Sequence, residues 1–170
     1  MIIRNAKPED AEGIANVLAQ SYNIDSIEEG KDVFEKETKK EYNYIVAEEE
    51  GKIIGITTWQ MHGLPKHQLA ELDRIAVLPE YRGKGVARQL FAKLLEEASA
   101  AYKAKGSNLR KLYLLTHASN ARAQAFYKKL GFSHDATLKD HYYEGEDEFV
   151  FAMFTGKGED GGKNGKLQES

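Results

Sequence analysis

Residues 71 to 87 read Glu-Leu-Asp-Arg-Ile-Ala-Val-Leu-Pro-Glu-Tyr-Arg-Gly-Lys-Gly-Val-Ala, an apolar strand pattern that breaks at Pro79 and resumes as a helix. Gly83 and Gly85 carry no β-carbon to keep an anion from the main chain, and the unpaired N–H groups of the helix that follows face outward with its positive dipole end. Arg82, Gly83, Lys84, Gly85, Val86, Ala87 and Arg88 are therefore shaped to hold a pyrophosphate, which points to a nucleotide-like ligand; the same two-glycine turn also serves ordinary capping. Downstream, Asn120 and Tyr127 stand seven residues apart on a helical run, so at about 100° per residue an amide and a phenol share one face. Glu71 and Asp73 lie two apart on a strand and share a face as well, which makes them candidates for taking a proton, Glu71 before Asp73. His117, at a strand end, and His67, in a loop, are reserve candidates for that role.

These groups need a frame. Ile2 to Ala6 reads as a first strand, and Pro8 opens a helix through Gln20 with Ile14, Val17 and Leu18 inward. Ser26 to Lys40 is a charged helix over the domain's edge, anchored by Ile27, Val33 and Phe34. Tyr42 to Glu48 and Ile53 to His62 are β-rich runs joined by Glu-Glu-Gly-Lys, a hairpin signal of unspecified turn type. Leu69 to Val77 is the fourth strand, and Val86, Leu90, Phe91, Leu94, Leu95 and Ala98 form the inward stripe of a long helix. Lys111 to His117, a helix from Ser119 as N-cap to Gly131 as its C′ residue, and strands Phe132 to Tyr142 and Phe149 to Phe154 follow. The alternation predicts an α/β (α+β) fold, one mixed sheet with helices on both faces. Residues 155 to 170 carry five glycines among few apolar groups and are expected to be a disordered tail after a single domain over 1 to 154.

Composition narrows the chemistry. The 170 residues include no cysteine, which removes a cysteinyl intermediate, a disulfide frame and a thiolate metal cluster, and no metal site is expected. A net charge of −3 with the two signs interspersed argues against a sequence-independent nucleic-acid footprint. No apolar run approaches the roughly 20 residues of a membrane span, and the start is strand-like rather than a signal peptide, so no membrane partner and a cytoplasmic location are expected.

The glycine turn followed about thirty residues later by Ser-Asn-Ala-Arg-Ala-Gln-Ala-Phe-Tyr resembles the GCN5-related N-acetyltransferase (GNAT) superfamily, over roughly Ile2 to Phe154. The resemblance implies a mostly antiparallel sheet of six to seven strands in which the parallel strands four and five splay apart. It implies acetyl-CoA (coenzyme A) as cofactor, with Ile75, Ala76 and Val77 gripping the pantetheine arm through backbone atoms, the glycine turn gripping the pyrophosphate, and Asn120 orienting the cofactor or a water. Tyr127 would protonate the departing thiolate, and a strand N–H near Ala76 or Val77 would steady the oxyanion. The implied reaction is direct attack of a primary amine on the thioester in a ternary complex. Exposed strand edges in this fold often pair between subunits, so a homodimer is the expected assembly.

The acceptor is left as a peptide or a small-molecule amine. Asp140 to Asp147, with Tyr142 and Tyr143, looks like the end of RimI/Ard1-type protein N-terminal acetyltransferases, where paired tyrosines border the peptide's path. Those enzymes commonly carry a glutamate five residues before the helix asparagine; here that position is Leu115. Leu72 to Lys84 also resembles polyamine-acetylating members, and Glu28, Glu29, Asp32 and Glu35 could draw a polycation. A non-catalytic acyl-CoA-binding module is the alternative from a different functional class.

Overall fold

The computed structural model describes residues 1–156; the expected disorder of the tail beyond them lies outside the described residues. Thr155, placed in that tail by composition, is tied down: its amide donates to the Arg110 carbonyl at 2.9 Å and its hydroxyl to the Leu109 carbonyl at 2.7 Å.

Strands β1 (Ile2–Asn5), β2 (Asn43–Glu49), β3 (Lys52–His62), β4 (Leu69–Val77), β5 (Lys111–His117), β6 (Ser133–Tyr143) and β7 (Glu146–Phe154) form one sheet in the order β1-β2-β3-β4-β5-β7-β6. Every neighbouring pair is antiparallel except β4 with β5. Helices α1 (Ala11–Ser21) and α2 (Ile27–Lys39) cover one face; α3 (Val86–Ala104) and α4 (Ala121–Leu130) cover the other. The expected fold class and seven strands are present. All three prolines, Pro8, Pro65 and Pro79, open short 3-10 turns, where the missing N–H costs nothing. Pro8 thus starts a 3-10 turn, and the first α-helix begins only at Ala11.

Two apolar layers hold the helices to the sheet. Ile14, Val17, Leu18, Phe34, Tyr44, Val46, Ile56 and Ala76 pack together on the α1/α2 face. Ile45, Trp59, Leu72, Leu90, Phe91, Leu94, Leu112, Leu114 and Phe151 do so on the α3/α4 face. The β2–β3 turn has Glu50 at φ 51° and Gly51 at φ 80°, both left-handed, which identifies the type I′ hairpin that the sequence left open.

On β4 the alternation of faces changes phase. Ala70 and Leu72 point to the α3/α4 layer, and so does Val77, whereas Ala76 points to the other. The cause is a β-bulge: Trp59 pairs with Leu72 and Thr58 with Arg74, so Asp73 is the extra residue. Ser119 is not the cap of α4, as its sequence position suggested. Asn120 is, its side-chain oxygen accepting from the Ala123 amide at 3.0 Å, while the Ser119 amide donates to Glu146 Oε1.

Helices α1 and α2 meet through a glycine. A β-carbon built on Gly30 falls 2.8 Å from Ala15 Cβ and 2.9 Å from Ala15 Cα, backbone that has nowhere to go. Gly30→Ala should therefore push the helices apart and cost about 1–3 kcal/mol in chemical denaturation; unchanged stability would show that the crossing is loose.

Candidate active site

The site begins where β4 and β5 part. Their parallel ladder pairs Leu69 with Lys111, Ala70 with Leu112 and Glu71 with Tyr113, and stops. Beyond it Leu72 to Val77 have β3 on one side and an opening on the other. Because the Leu78 amide donates to Ile54 at 2.9 Å, the alternation of an antiparallel ladder turns the groups of Ala76 toward β3 and those of Ile75 and Val77 into the opening. Of the three residues expected to offer backbone to a pantetheine, Ile75 and Val77 thus present theirs to the opening, whereas Ala76 has its backbone engaged with Ile56 and presents only its buried methyl. Both outward carbonyls are already taken. The Tyr22 hydroxyl donates to the Ile75 carbonyl at 3.2 Å, and Arg82 Nε donates to the Val77 carbonyl at 2.9 Å. What remains in the opening is the pair of N–H donors.

The glycine turn lies beyond the end of β4. Gly83 and Gly85 adopt φ 76° and 80°, and a β-carbon on either would meet nothing, so glycine is required there by the left-handed backbone rather than by crowding. Gly85 is the residue before α3, and the amides from Gly83 to Arg88 have no backbone acceptor among the described residues. Lys84 and Arg88 are exposed beside them, whereas Val86 is buried in the core and Ala87 partly so, leaving those two only backbone to offer. Arg82 is turned back on Val77, pinning the turn to its strand. A diphosphate fits this donor set: free amides at a helix start with two cations beside them.

Tyr127 lies on α4 facing the α3/α4 layer, 8% exposed, with Phe126 at 5.5 Å and Phe132 at 5.9 Å between ring centres. Burial pushes its phenol up to about 12, so it keeps its proton at neutral pH. Tyr22 sits at the opening with its ring more than a third exposed and its hydroxyl turned inward, where burial first and then the nearby Tyr127 raise its pKa. Asn120 caps α4 through its oxygen, which leaves its NH2 group for a ligand.

Glu71 and Asp73 do share the α1/α2 face, as their spacing predicted. Glu71 Oε2 accepts from His62 Nε2 at 2.6 Å, from the Tyr113 hydroxyl at 3.1 Å and from Gln60 at 3.4 Å. Asp73 accepts from Thr58 at 3.2 Å and pairs with Arg74 at 3.1 Å, and burial raises its pKa despite that cation. Arg74 is itself gripped by Glu37, at 2.7 and 2.8 Å, which also accepts from Tyr44 at 2.5 Å. His67 lies in the turn before β4, near the start of the β4–β5 ladder, where its Nδ1 accepts from the Leu64 amide at 3.0 Å. His117 stands at the end of β5, its Nδ1 against a Glu148 carboxylate that is 3% exposed.

An irregular stretch of β6 brings Tyr142 near these carboxylates. Leu138 pairs with Glu148 but Tyr143 with Glu146, so β6 spends five steps where β7 spends two. Asp140 turns at φ 46°, its amide bonded to Asp147 and its carboxylate to the Gly145 amide. The loop throws out Tyr142, 62% exposed, whose phenol feels the charges of Glu71, Glu148 and Asp73. Sequence reasoning missed Tyr22, Arg74 with Glu37, Tyr113 and Glu148; only Glu148, a charge before an apolar strand run, left a signal. A cavity of about 620 Å³ lies elsewhere, lined by Lys7, Phe34, Tyr42 and Tyr44 among others. Its lining includes neither Glu71 nor Asp73 and none of the residues of the glycine turn.

The pattern of the Acetyltransferase (GNAT) family matches residues 11–132. The chain belongs to the GNAT acetyltransferase family. An N-alpha-acetyltransferase of Sulfurisphaera tokodaii is 30% identical over 166 residues, spanning 88% of this chain and 90% of that protein. Among solved structures, the ribosomal-protein-S18-alanine N-acetyltransferase of Escherichia coli superposes with a TM-score of 0.73 at 23% identity, over 94% of this chain and 97% of the other. An aminoglycoside 6'-N-acetyltransferase in complex with coenzyme A superposes with a TM-score of 0.76 at 16% identity, over 91% and 97%. The two structural likenesses speak to the fold. The protein is accordingly an acetyl-CoA-dependent N-acetyltransferase of the GNAT fold, and no helix among the described residues is long and apolar enough to cross a membrane.

A carboxylate whose pKa is raised in the folded protein costs stability above that pKa, and the cost disappears once the group is protonated in both states. Asp73→Asn should therefore raise the melting temperature at pH 7, with the gain shrinking as the pH falls toward about 4. A gain that persists at low pH, or none at neutral pH, would contradict the buried charge.

Proposed function

We propose that the acceptor is the α-amine of a peptide or protein N-terminus, reaching the β4–β5 opening from the α1/α2 face, and that the residues gathered there divide the work of transfer. The observation that carries the reading is Tyr142, exposed on the β6 bulge and near enough to Glu71 and Asp73 for their charges to act on its phenol: an aromatic rim beside acidic groups suits an extended chain with a positive end. The names of the relatives support it, since the Sulfurisphaera tokodaii protein is an N-alpha-acetyltransferase and the Escherichia coli structure a ribosomal-protein-S18-alanine N-acetyltransferase.

An α-amine has a reference pKa near 8, so a large share arrives as ammonium at neutral pH. Glu71 and Asp73 draw that cation, and Glu71 takes a proton from it through water. The amides from Gly83 to Arg88 would hold the diphosphate of acetyl-CoA, and the Ile75 and Val77 backbone its arm; when bound, the cofactor would supply an activated acyl group. The Ile75 and Val77 N–H groups, fixed by β4 and directed into the opening, are placed to steady an oxyanion. Tyr127, protonated at neutral pH, donates to the departing sulfur.

A polyamine acceptor would draw on the acids of α2. There Glu28 pairs with Lys31 at 3.3 Å and Glu35 with Lys39 at 2.6 Å, which leaves Glu29 and Asp32 to supply the field for a polycation.

Two measurements test the reading. A panel of free-N-terminus peptides, N-terminally blocked lysine peptides and spermidine, followed by thiol release with mass spectrometry of the products, should show turnover concentrated in the free α-amines; preferential acetylation of spermidine would overturn it. Tyr127→Phe should lower kcat by about 10²-fold with an unchanged KM for acetyl-CoA. An unchanged kcat would remove Tyr127 from the chemistry.

A further inference from the structure

Glu148 is the one carboxylate among the buried residues, 2% exposed in a strand whose neighbours Phe149 and Phe151 are core or core-lining. Burying a carboxylate is expensive, and a buried ion pair seldom outperforms apolar residues of the same size. Its sole side-chain partner among the described residues is His117 Nδ1. The histidine is 43% exposed, and its Nε2 has no protein partner among the described residues. An acceptor on Nδ1 keeps the hydrogen on that nitrogen and leaves the Nε2 lone pair facing outward, with a counter-charge behind the ring for the imidazolium form.

The sheet register says where that lone pair stands. Glu71 and Tyr113 form the last rung of the β4–β5 ladder. Four residues beyond Tyr113, about 13 Å along β5, comes His117, and four beyond Glu71 comes Ile75, so within the one-residue shift of the Asp73 bulge the two flank the opening at the same depth. His117 shares the face of Tyr113 and hence of Glu71 by the two-residue period of β5, whose alternate residues Leu112 and Leu114 are buried in the opposite layer. Gln124 Nε2 donates to the carbonyls of His117 at 3.2 Å and Ala118 at 2.8 Å, tying this strand end to the helix that carries Tyr127. The other groups facing the imidazole are Tyr143, 6.0 Å away between ring centres, and Glu146, whose carboxylate is committed to the Ser119 amide.

We propose that His117, held by Glu148, is a second proton acceptor in the transfer reaction: its Nε2 takes the proton that the acceptor nitrogen still has to lose once it has bonded to the acetyl carbon. The assignment rests on the reading that the amine enters on this face of the opening. An ammonium that becomes an amide sheds two protons. Glu71 takes the first through water as the amine is bound. The nitrogen lone pair then forms the N–C bond, which leaves a positive nitrogen beside a negative oxygen, and the second proton goes to His117 Nε2. The C–S bond breaks with its electron pair on sulfur, which is protonated from Tyr127. Return of Tyr127, Glu71 and His117 to their starting forms by exchange with water leaves ammonium plus thioester converted to amide plus thiol and one released proton.

His117→Asn keeps an N–H directed at Glu148 but carries no base. It should lower kcat by about 10²-fold, remove one ionisation from the acidic limb of the pH–rate profile, and leave coenzyme A affinity by calorimetry unchanged. In His117→Gly the same loss should be relieved by added imidazole in proportion to its neutral form, which a merely structural histidine would not allow. A wild-type kcat in His117→Asn, or a glycine variant that binds coenzyme A normally and ignores imidazole, would overturn the assignment. Should these variants not fold, Glu148→Gln reads the same step: a lowered kcat at unchanged coenzyme A affinity supports it, and an unchanged kcat refutes it. Failure of the wild type to acetylate any free α-amine counts instead against the acceptor reading.

Discussion

Everything in the site follows from the early end of one ladder. Parallel strands normally stay paired because each buried N–H and C=O needs a partner, yet β4 and β5 separate after Glu71 and Tyr113. The protein compensates selectively. The two carbonyls that the separation exposes are satisfied internally, Ile75 by the Tyr22 hydroxyl and Val77 by Arg82, and the accompanying N–H groups are left unanswered. The opening is thus a donor surface, suited to a carbonyl oxygen that gains negative charge. A gap left with its carbonyls free would repel the same oxygen.

The two ends of β4 carry opposite electrostatics. At its start lie Glu71 and Asp73; beyond its end lie Lys84, Arg88 and a run of unpaired amides. Arg74 does not blur this polarity, because Glu37 and Asp73 hold it between them. On the proposed reading, an anionic acyl donor and a cationic acceptor would find complementary potential at different ends of one strand and meet where its N–H groups are free. The Asp73 bulge shifts the phase beyond it: Asp73 stays on the side of Glu71 by the two-residue period, while Leu72 and Val77, five apart, both reach the α3/α4 core.

Much of this was legible in the chain. Strands β4 and β5 match their sequence-derived bounds, since both are short apolar runs between strong breakers, and the glycine turn followed from two positions that demand left-handed backbone. The shared face of Glu71 and Asp73 also followed from period two, and it survives because the extra residue falls at Asp73 and not between the two. What escaped depends on contacts distant in sequence. Tyr22 is an ordinary loop tyrosine until α1 and α2, closed on Gly30, deliver it to a strand 53 residues away. The cap of α4 went to Asn120 and not Ser119 because Glu146, on another strand, claims the Ser119 amide. The bulge in β6 is invisible to pattern reading, because Asp140 adopts its left-handed turn through bonds to Asp147 and Gly145.

In the proposed reaction the sheet also keeps the proton donor from the proton acceptors. Tyr127 belongs to the α3/α4 layer, where aromatic neighbours and burial hold its phenol in the protonated form. Glu71, Asp73 and the His117–Glu148 pair belong to the opposite face, where tyrosine, threonine and glutamine side chains solvate the carboxylates. Had acid and base shared one face without a barrier, they would have hydrogen-bonded to each other and fixed the proton between them. At the opening the Tyr22 hydroxyl sits within reach of the fields of both Tyr127 and Asp73. On the proposed reading, two environments that set proton affinities apart, joined by a passage with free N–H donors, would let an amine lose its protons on one side while sulfur gains one on the other.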